Sequence, residues 1–260
     1  MNKVYTQFAK DMEQIIVFVE LFSATRNLAR HDLKNMRSKH PIAVEAKTVH
    51  AKARELSSSA VVVYDGPFLT ACAQFEMAVR DMIEAFISNL MRKITDYSHL
   101  PKPVRDWHPM GCAQILLNIR QDKFKHLTPD IILQNLASCI HYSPKKPYRF
   151  TLEAFSDNER NLKPDIIEEM FKTRLGIDKV WQKLSRENDL ITYFGTYNSQ
   201  LVEKLAREKL KEIMNRRNEI IHRGKEYYTP GESEIKECAN FFKVLILSFA
   251  NMLEKHLNAL

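Results

Sequence analysis

The chain has 260 residues, of which 45% are hydrophobic and 27% charged, a balance typical of a folded globular protein that excludes wholesale disorder. It contains only 6 glycines and 10 prolines, which argues against the many-turned β-sandwiches and β-barrels. The 39 Lys and Arg exceed the 32 Asp and Glu, leaving a net charge of +7. That excess favours polyanionic partners, with nucleic acid first and an anionic membrane surface second.

Several classes of site and location have no support in the sequence. No stretch approaches the length of a transmembrane helix, and the first residues lack the apolar core of a signal peptide. We therefore expect a cytoplasmic protein with no membrane partner. The cysteines lie far apart with no C-x-x-C spacing, so they are predicted to be small buried side chains rather than zinc ligands or disulfides. No metal site and no cofactor are expected. The four cysteines are Cys72, Cys112, Cys139 and Cys238.

Helical periodicity dominates the first third of the chain. Apolar residues recur every three or four positions from Phe8 to Met36, predicting a first helix that Pro41 closes. A second helix is predicted over residues 42–57. The strongest amphipathic stripe then runs over 68–90, and Pro67 is predicted to begin this helix after a break in the path of the chain.

Residues 97–150 differ because they hold six of the ten prolines. Their short apolar pieces, at 115–119 and 131–140, predict small helices within a loop-rich, basic insertion. Residues 148–155 are predicted to be a short strand or an extended arm. Trp107 is predicted to lie in a loop, where its ring would either stack on a base or pack against its neighbours.

The helical pattern returns near residue 163. Pro164 is predicted to start a helix and Gly176 to stop it, and a short helix follows at 177–186. Two long helices are then predicted, at 201–221 and 235–257. The predicted fold class is all-α, a helical bundle with antiparallel long helices. The predicted domains are an N-terminal helical extension of residues 1–54 and a domain of 55–260 that carries the insertion at about 97–150.

The helix at 201–221 carries the one group of residues whose side chains suit catalysis. At ~100° per residue Arg217 falls on the apolar stripe, about 20° from Leu210. A guanidinium there needs a partner or a ligand. Asn218 and His222 lie one turn apart on the flank of the same stripe. The three suit RNA cleavage by a 2′-hydroxyl, with His222 as base or acid, Arg217 as the cation that stabilises the phosphate, and Asn218 as orienter.

The spacing by itself leaves a second interpretation open. His222, Arg223 and a following glycine are also typical of an ordinary helix C-terminus, where cations offset the helix dipole and glycine ends the helix. The same R-N-x-x-x-H spacing recurs in the first helix, from Arg26 to His31. The motif therefore depends on its context for a functional interpretation.

That context resembles a known family. The R-N-x-x-x-H motif at the end of a long helix, the earlier helix at 68–90 with Glu76, and the segment at 163–177 that ends in Leu-Gly-Ile are similar to the HEPN (higher eukaryotes and prokaryotes nucleotide-binding) superfamily. The resemblance is to its RiboL-PSP-HEPN-like branch and covers about residues 55–257. It implies a helical domain that dimerises so that two motifs face one composite active site.

The resemblance also implies an activity. Family members with an intact motif are commonly metal-independent endoribonucleases, and many act as toxins or in defence against phage, where an antitoxin or regulatory protein is a partner. By this resemblance Arg217 and His222 are catalytic and Asn218 assists. Glu76 and Arg80, one turn apart, would support the site by pairing with Arg217, or would form only a surface pair with each other. The copy with Arg26 would be structural or would contact RNA.

Two further interpretations concern binding. The basic residues Arg216 and Arg223 beside the motif, and Lys145 and Lys146 in the insertion, are predicted to contact RNA, although a merely solvated basic surface fits the insertion equally well. The alternative to an enzyme is a catalytically inactive helical module of the same type, one that binds nucleic acid or a protein partner, or that regulates another protein.

Overall fold

The computed structural model describes residues 1–30, 41–57, 60–143, 146–222 and 229–260. These residues form eleven α-helices, and the only β-pairing among them is an isolated bridge between Ser143 and Lys146. The all-α prediction is confirmed. The helices are α1 (Asn2–Ala29), α2 (Pro41–Ser57), α3 (Ala60–Lys93), α4 (Lys102–Leu117), α5 (Pro129–Ile140), α6 (Glu153–Ser156), α7 (Pro164–Met170), α8 (Val180–Leu184), α9 (Asn188–Phe194), α10 (Ser199–His222) and α11 (Glu232–Ala259).

The described chain forms two compact units. The first comprises Met1–Thr6, Glu76–Met214 and Val244–Leu260, and the second comprises Gln7–Phe75 and Asn215–Lys243. In the parts of the chain that the structure describes, no helix has both the length and the apolar content that crossing a bilayer requires. The division into an extension of 1–54 and a domain of 55–260 stays a prediction.

In the second unit α1 runs antiparallel to α11. Glu232, Lys236 and Lys243 follow one another along α11 and contact Ser23, Glu20 and Glu13, which descend along α1. Aromatic rings join α3 to both helices, with Phe22 edge-on to Tyr64 at 5.3 Å and Phe75 stacked on Phe242 at 4.4 Å. The C-terminal end of α1 and the N-terminal end of α11 therefore lie at the same end of this unit.

The first helix follows its predicted apolar stripe, which is buried at every third or fourth residue from Phe8 to Phe22. It ends at Ala29, and the predicted continuation to Met36 lies outside the described residues. The second helix is confirmed, since α2 spans Pro41–Ser57.

The predicted start of the third helix at Pro67 is wrong, because α3 begins at Ala60 and passes through this proline. A proline inside a helix lacks one backbone donor, and its ring crowds the residue before it. Here that residue is Gly66, which has no Cβ to be crowded. The buried side chains of Tyr64 and Phe68 lie on either side of the proline, and their packing stabilises the helix across it.

Within the predicted insertion, the small helix at 131–140 is confirmed by α5, whereas α4 is longer than the predicted short helix at 115–119 and begins at Lys102. Pro103 occupies the first turn of α4, where a missing donor costs nothing. Trp107 lies within this helix and not in a loop, and its Nε1 donates to the carbonyl of Ala154 at 2.8 Å. Of the two alternatives for 148–155, the strand is absent from the described residues; residues 148–151 belong to no helix or strand, and α6 begins at Glu153.

The helix that starts at Pro164 and the stop at Gly176 are confirmed. Gly176 adopts a left-handed conformation with φ of 75°, which favours glycine. Between α7 and this glycine the chain forms a π-helical turn at Phe171–Leu175. Such turns are rare, and this one carries Arg174, a side chain only 5% exposed.

A buried histidine in α4 links the stability of the fold to pH. The side chain of His108 is fully buried, and its Nε2 accepts a hydrogen bond from the Thr151 amide at 3.1 Å. Protonation of Nε2 would place its N–H against the N–H of Thr151, so that two donors would face each other with no acceptor between them. Burial lowers the pKa of His108 to about 4. The ring also stacks on Phe155 at 5.8 Å, which fixes it in this environment.

We expect the free energy of unfolding to fall by about 3 kcal/mol as the pH drops from 6.5 to 4, through His108 alone. In this window the unfolded chain binds a proton at His108 and the folded chain does not. Chemical unfolding of wild type and His108→Gln across this range measures the effect. The variant should lose that part of the pH dependence, whereas the exposed His141→Gln should retain it. Parallel pH profiles for wild type and His108→Gln would contradict the prediction.

Candidate active site

The candidate site lies at the C-terminal end of α10. The helix buries an apolar stripe at the predicted spacing and ends at His222, as predicted within two residues. The buried members of the stripe are Val202, Ala206, Leu210, Ile213, Met214 and Ile220. The exposed face is rich in Lys, Arg and Glu, which are good helix formers. The final turns, from Asn215 onwards, belong to the second unit.

The three predicted catalytic residues occupy these last turns. Arg217 and Asn218 are half-buried, and His222 is exposed. The Nη1 of Arg217 donates to Oδ1 of Asn218 at 3.3 Å. The guanidinium is thus held beside the amide at an accessible helix end, and the imidazole is reachable from solvent. This arrangement can present a fixed positive charge and a proton-transfer group to a ligand.

Helix geometry sets the relation of the arginine to the histidine. Five residues of α-helix turn through about 500°, so Arg217 and His222 project about 140° apart and about 7.5 Å apart along the axis. Asn218 and His222 are about 40° apart and share one side. The Arg217 and His222 side chains therefore leave the helix in different directions, although the guanidinium of Arg217 reaches the Asn218 amide.

Charged residues of α11 surround the same end of α10. Arg216 lies 3.6 Å from Glu219 and 3.7 Å from Glu234, so its charge is largely taken up by carboxylates. Hydrogen bonds from Lys236 and from Ser23 hold the pKa of Glu232 below its usual range. The predicted contact of Arg216 with RNA stays a prediction.

The second copy of the motif lies at this end of the unit too. Glu232 contacts Ser23 near the end of α1, and Arg26 follows one turn later. Arg26 is half-buried. His31, the last residue of this copy, lies outside the described residues. The structural or RNA-contacting role of the copy stays a prediction.

Glu76 and Arg80 belong to the first unit and contact the segment at 158–162. The Nη2 of Arg80 donates to the carbonyl of Asn158 at 2.8 Å. The Oε1 of Glu76 accepts from the amide of Leu162 at 3.4 Å. These contacts anchor that segment on α3. The predicted pairing of Glu76 and Arg80 with Arg217 stays a prediction.

The remaining predicted RNA contacts are only partly within the described residues. Lys146 is exposed beside the isolated bridge, whereas Lys145 and Arg223 lie outside the described ranges. Elsewhere in the insertion Lys123 pairs with Asp157 at 2.7 Å, and Lys102 pairs with Asp106. Part of its positive charge is therefore already neutralised.

Among the described residues, no three His, Cys, Asp or Glu side chains lie close enough together to hold a metal ion. The four cysteines are buried, as predicted. Burial raises the pKa of the Cys112 thiol to about 11, so this thiol is a poor nucleophile at neutral pH.

An all-α chain with the R-N-x-x-x-H motif at the end of a long helix has the features of the HEPN superfamily. The family model for RiboL-PSP-HEPN matches residues 44–255, most of the chain. The protein belongs to this family. The matched range includes α10 and the motif from Arg217 to His222. No curated protein and no solved structure matches the chain.

Proposed function

We propose that this protein is a metal-independent endoribonuclease of the HEPN type. The observation that carries the proposal is the half-buried Arg217 and the exposed His222 at the end of α10, in a chain of this family. A cation fixed at an accessible helix end can bind a phosphodiester, and an accessible imidazole can move protons near neutral pH. A toxin or an effector of defence against phage is the biological role that such an activity fits.

The proposed reaction is an internal transfer within RNA. The 2′-oxygen attacks the adjacent phosphorus while a base removes the 2′ proton, and the bond from phosphorus to the 5′-oxygen breaks as an acid protonates that oxygen. His222 supplies one of these proton transfers. Arg217 offsets the charge that develops on the phosphate oxygens. Asn218 orients the guanidinium. The products are a 2′,3′-cyclic phosphate and a 5′-hydroxyl.

The geometry of α10 supports a composite site in a homodimer. Arg217 and His222 are about 7.5 Å apart along the helix axis, which leaves room for a second copy to bring its imidazole to the phosphate that this guanidinium binds. Two copies of the motif also supply two histidines, one to act as base and the other as acid.

An inactive module of the same family is the second candidate. Two exposed apolar side chains on one face of α5 favour it: Leu133 and Ile140, about 20° apart around the helix, are 50% and 64% exposed. Such a surface is typical of contact with another protein. In this case the partner would be a protein, such as a regulatory protein, and Arg217 would act in binding alone.

Incubation of the purified chain with total RNA in EDTA tests the proposal. We expect cleavage that does not depend on divalent metal, and fragments that end in a 2′,3′-cyclic phosphate, detected by their resistance to 3′-end ligation until the cyclic end is removed. Size-exclusion chromatography with light scattering should show a dimer. A folded wild-type protein that binds RNA but leaves it intact would contradict the nuclease and favour the inactive module.

A further inference from the structure

The first unit contains a polar cleft that the α10 motif does not use. Its volume is 370 Å³, and it lies between α4, the segment at 157–160 and the π-helical turn. The residues that matter for its chemistry are Trp107, Gln114, Asp157, Arg160, Glu169 and Arg174, all of which line it.

Arg174 is the buried charge of this cleft. Its Nη1 donates to the carbonyls of Phe155 at 2.9 Å and Asp157 at 2.7 Å. The guanidinium also lies 4.7 Å from the centre of the Trp107 ring, within cation–π range. These three contacts hold the guanidinium in one orientation. Burial lowers its pKa to about 10, so it remains charged at neutral pH.

One edge of this guanidinium has no partner in the described part of the chain. All of its hydrogen bonds there use Nη1, and Nε is buried without a hydrogen bond to any described residue. The edge formed by Nε and Nη2 is the one that binds two oxygens of a carboxylate or a phosphate side by side. An unpaired N–H of a side chain that is only 5% exposed lowers the free energy of unfolding. An oxyanion bound in the cleft would accept a hydrogen bond from it.

Three carboxylates line the cleft: two of them are paired with other cations, and the third, Glu159, is exposed at its edge. Both oxygens of Glu169 accept from Arg160, at 2.8 and 2.9 Å. Asp157 pairs with Lys123 at 2.7 Å. Arg80 adds a further positive charge, because it donates to the carbonyl of Asn158, next to the carbonyl of Asp157 that Arg174 uses. The charge of Arg80 lies near enough to contribute to the lowering of the Arg174 pKa.

We propose that this cleft binds the phosphate of a phosphate monoester, with two phosphate oxygens on the Nε–Nη2 edge of Arg174. A phosphate is favoured over a carboxylate because its second negative charge strengthens the attraction to the buried guanidinium of Arg174. The source is a free phosphorylated metabolite or the 5′-phosphate of a nucleic acid. The site involves none of the α10 residues and does not depend on RNA cleavage.

Isothermal titration and thermal shift on the full chain test this proposal. The probes are ribose 5-phosphate, a 5′-phosphorylated deoxy-trinucleotide that lacks the 2′-hydroxyl needed for cleavage, and acetate at equal ionic strength. We expect the phosphate probes to bind and raise Tm, and acetate to have no effect. Tighter binding of the trinucleotide supports a nucleic-acid end as the source, and equal binding supports a free metabolite.

Two exposed glutamines provide a matched pair of variants. Gln114→Glu places a carboxylate at the cleft wall and should weaken phosphate binding about tenfold by charge repulsion. Gln134→Glu makes the same change on the exposed surface of α5, away from the cleft, and should bind as wild type does. Arg174→Lys keeps the positive charge but loses the two parallel N–H donors of the guanidinium, so this variant should bind phosphate more weakly still.

The outcomes separate this site from the proposed nuclease. His222→Ala should bind phosphate as well as wild type does, whatever its effect on RNA. Absence of binding by any phosphate probe overturns the proposal, as does equal binding by Gln114→Glu and Gln134→Glu. Acetate binding as strong as phosphate binding overturns the choice of ligand. Binding by Arg174→Lys is compared only if the circular dichroism of this variant matches that of wild type. If Arg174→Lys unfolds, the comparison of Gln114→Glu with Gln134→Glu decides the question.

Discussion

Replacement of His222 by alanine is expected to reduce RNA cleavage by about 100-fold or more, the usual contribution of a general acid or base. The side chain is exposed at the end of α10, so its removal creates no cavity and the free energy of unfolding should change by less than about 0.5 kcal/mol. The measurement is the rate of cleavage of one fluorescent RNA in EDTA, for wild type and variant at equal concentration.

Three further variants make this result specific. Arg217→Ala should lower the rate to a similar extent, because it removes the charge that stabilises the transition state. His141→Ala changes another exposed histidine, in the first unit, and should cleave at the wild-type rate. His31→Ala tests the second copy of the motif. Undiminished cleavage by a folded His222→Ala would remove this residue from the mechanism.

Mixed dimers would separate a composite site from two independent ones. If one phosphate is served by Arg217 of one copy and His222 of another, a mixture of Arg217→Ala and His222→Ala chains should recover part of the activity that each variant lacks alone. Recovery is expected because some mixed dimers contain one intact pair of groups. No recovery, in a mixture shown to exchange subunits, would favour sites that lie within a single copy.

The helices that the sequence predicts well are those whose apolar spacing is regular over several turns. The predicted range 201–221 differs from the observed α10 by two residues at its start and one at its end. Pro164 and Gly176 mark their helix correctly because the first turn tolerates proline and the left-handed residue favours glycine. In these places local preference and tertiary packing agree.

The errors arise where packing overrides local preference. Pro67 predicts a helix start, yet α3 continues through it because buried aromatic side chains lie on both sides. The prolines of 97–150 predict loops, whereas α4 forms with Pro103 in its first turn and Pro109 inside. A count of prolines does not show which of them fall in the first turn of a helix, where the missing N–H costs nothing. That depends on where packing makes each helix begin.

The candidate nuclease residues are visible in the sequence because they fall within one helix at a recognisable spacing. The Arg174 cleft is not visible, because its parts come from α4, the segment at 157–160, α7 and a π-helical turn. In the sequence Arg174 lies among other basic and polar residues and is typical of a solvated helix face. The π-helical turn, which a period of 3.6 does not predict, accompanies its burial.

Gly111→Ala is expected to lower the free energy of unfolding by about 3–4 kcal/mol, near the upper range for overpacking. A Cβ at this position would lie 2.3 Å from the carbonyl oxygen of Ala154 and 2.9 Å from its carbonyl carbon. Both are backbone atoms, so α4 and α6 would have to separate. The same oxygen accepts the hydrogen bond from Trp107 at 2.8 Å, and its displacement would weaken that bond as well.

The sign of this effect distinguishes close packing from helix propensity. In an isolated helix, glycine to alanine stabilises by about 1 kcal/mol, so a destabilised Gly111→Ala can be explained only by the approach of α6. Urea unfolding followed by tryptophan fluorescence measures the change, and Trp107 reports the contact directly. Met110→Ala, at a neighbouring side chain that is 57% exposed, should shift stability by less than about 0.5 kcal/mol. If Gly111→Ala were as stable as wild type, the backbone of Ala154 would have to lie farther from α4, and the wall of the Arg174 cleft would move with it.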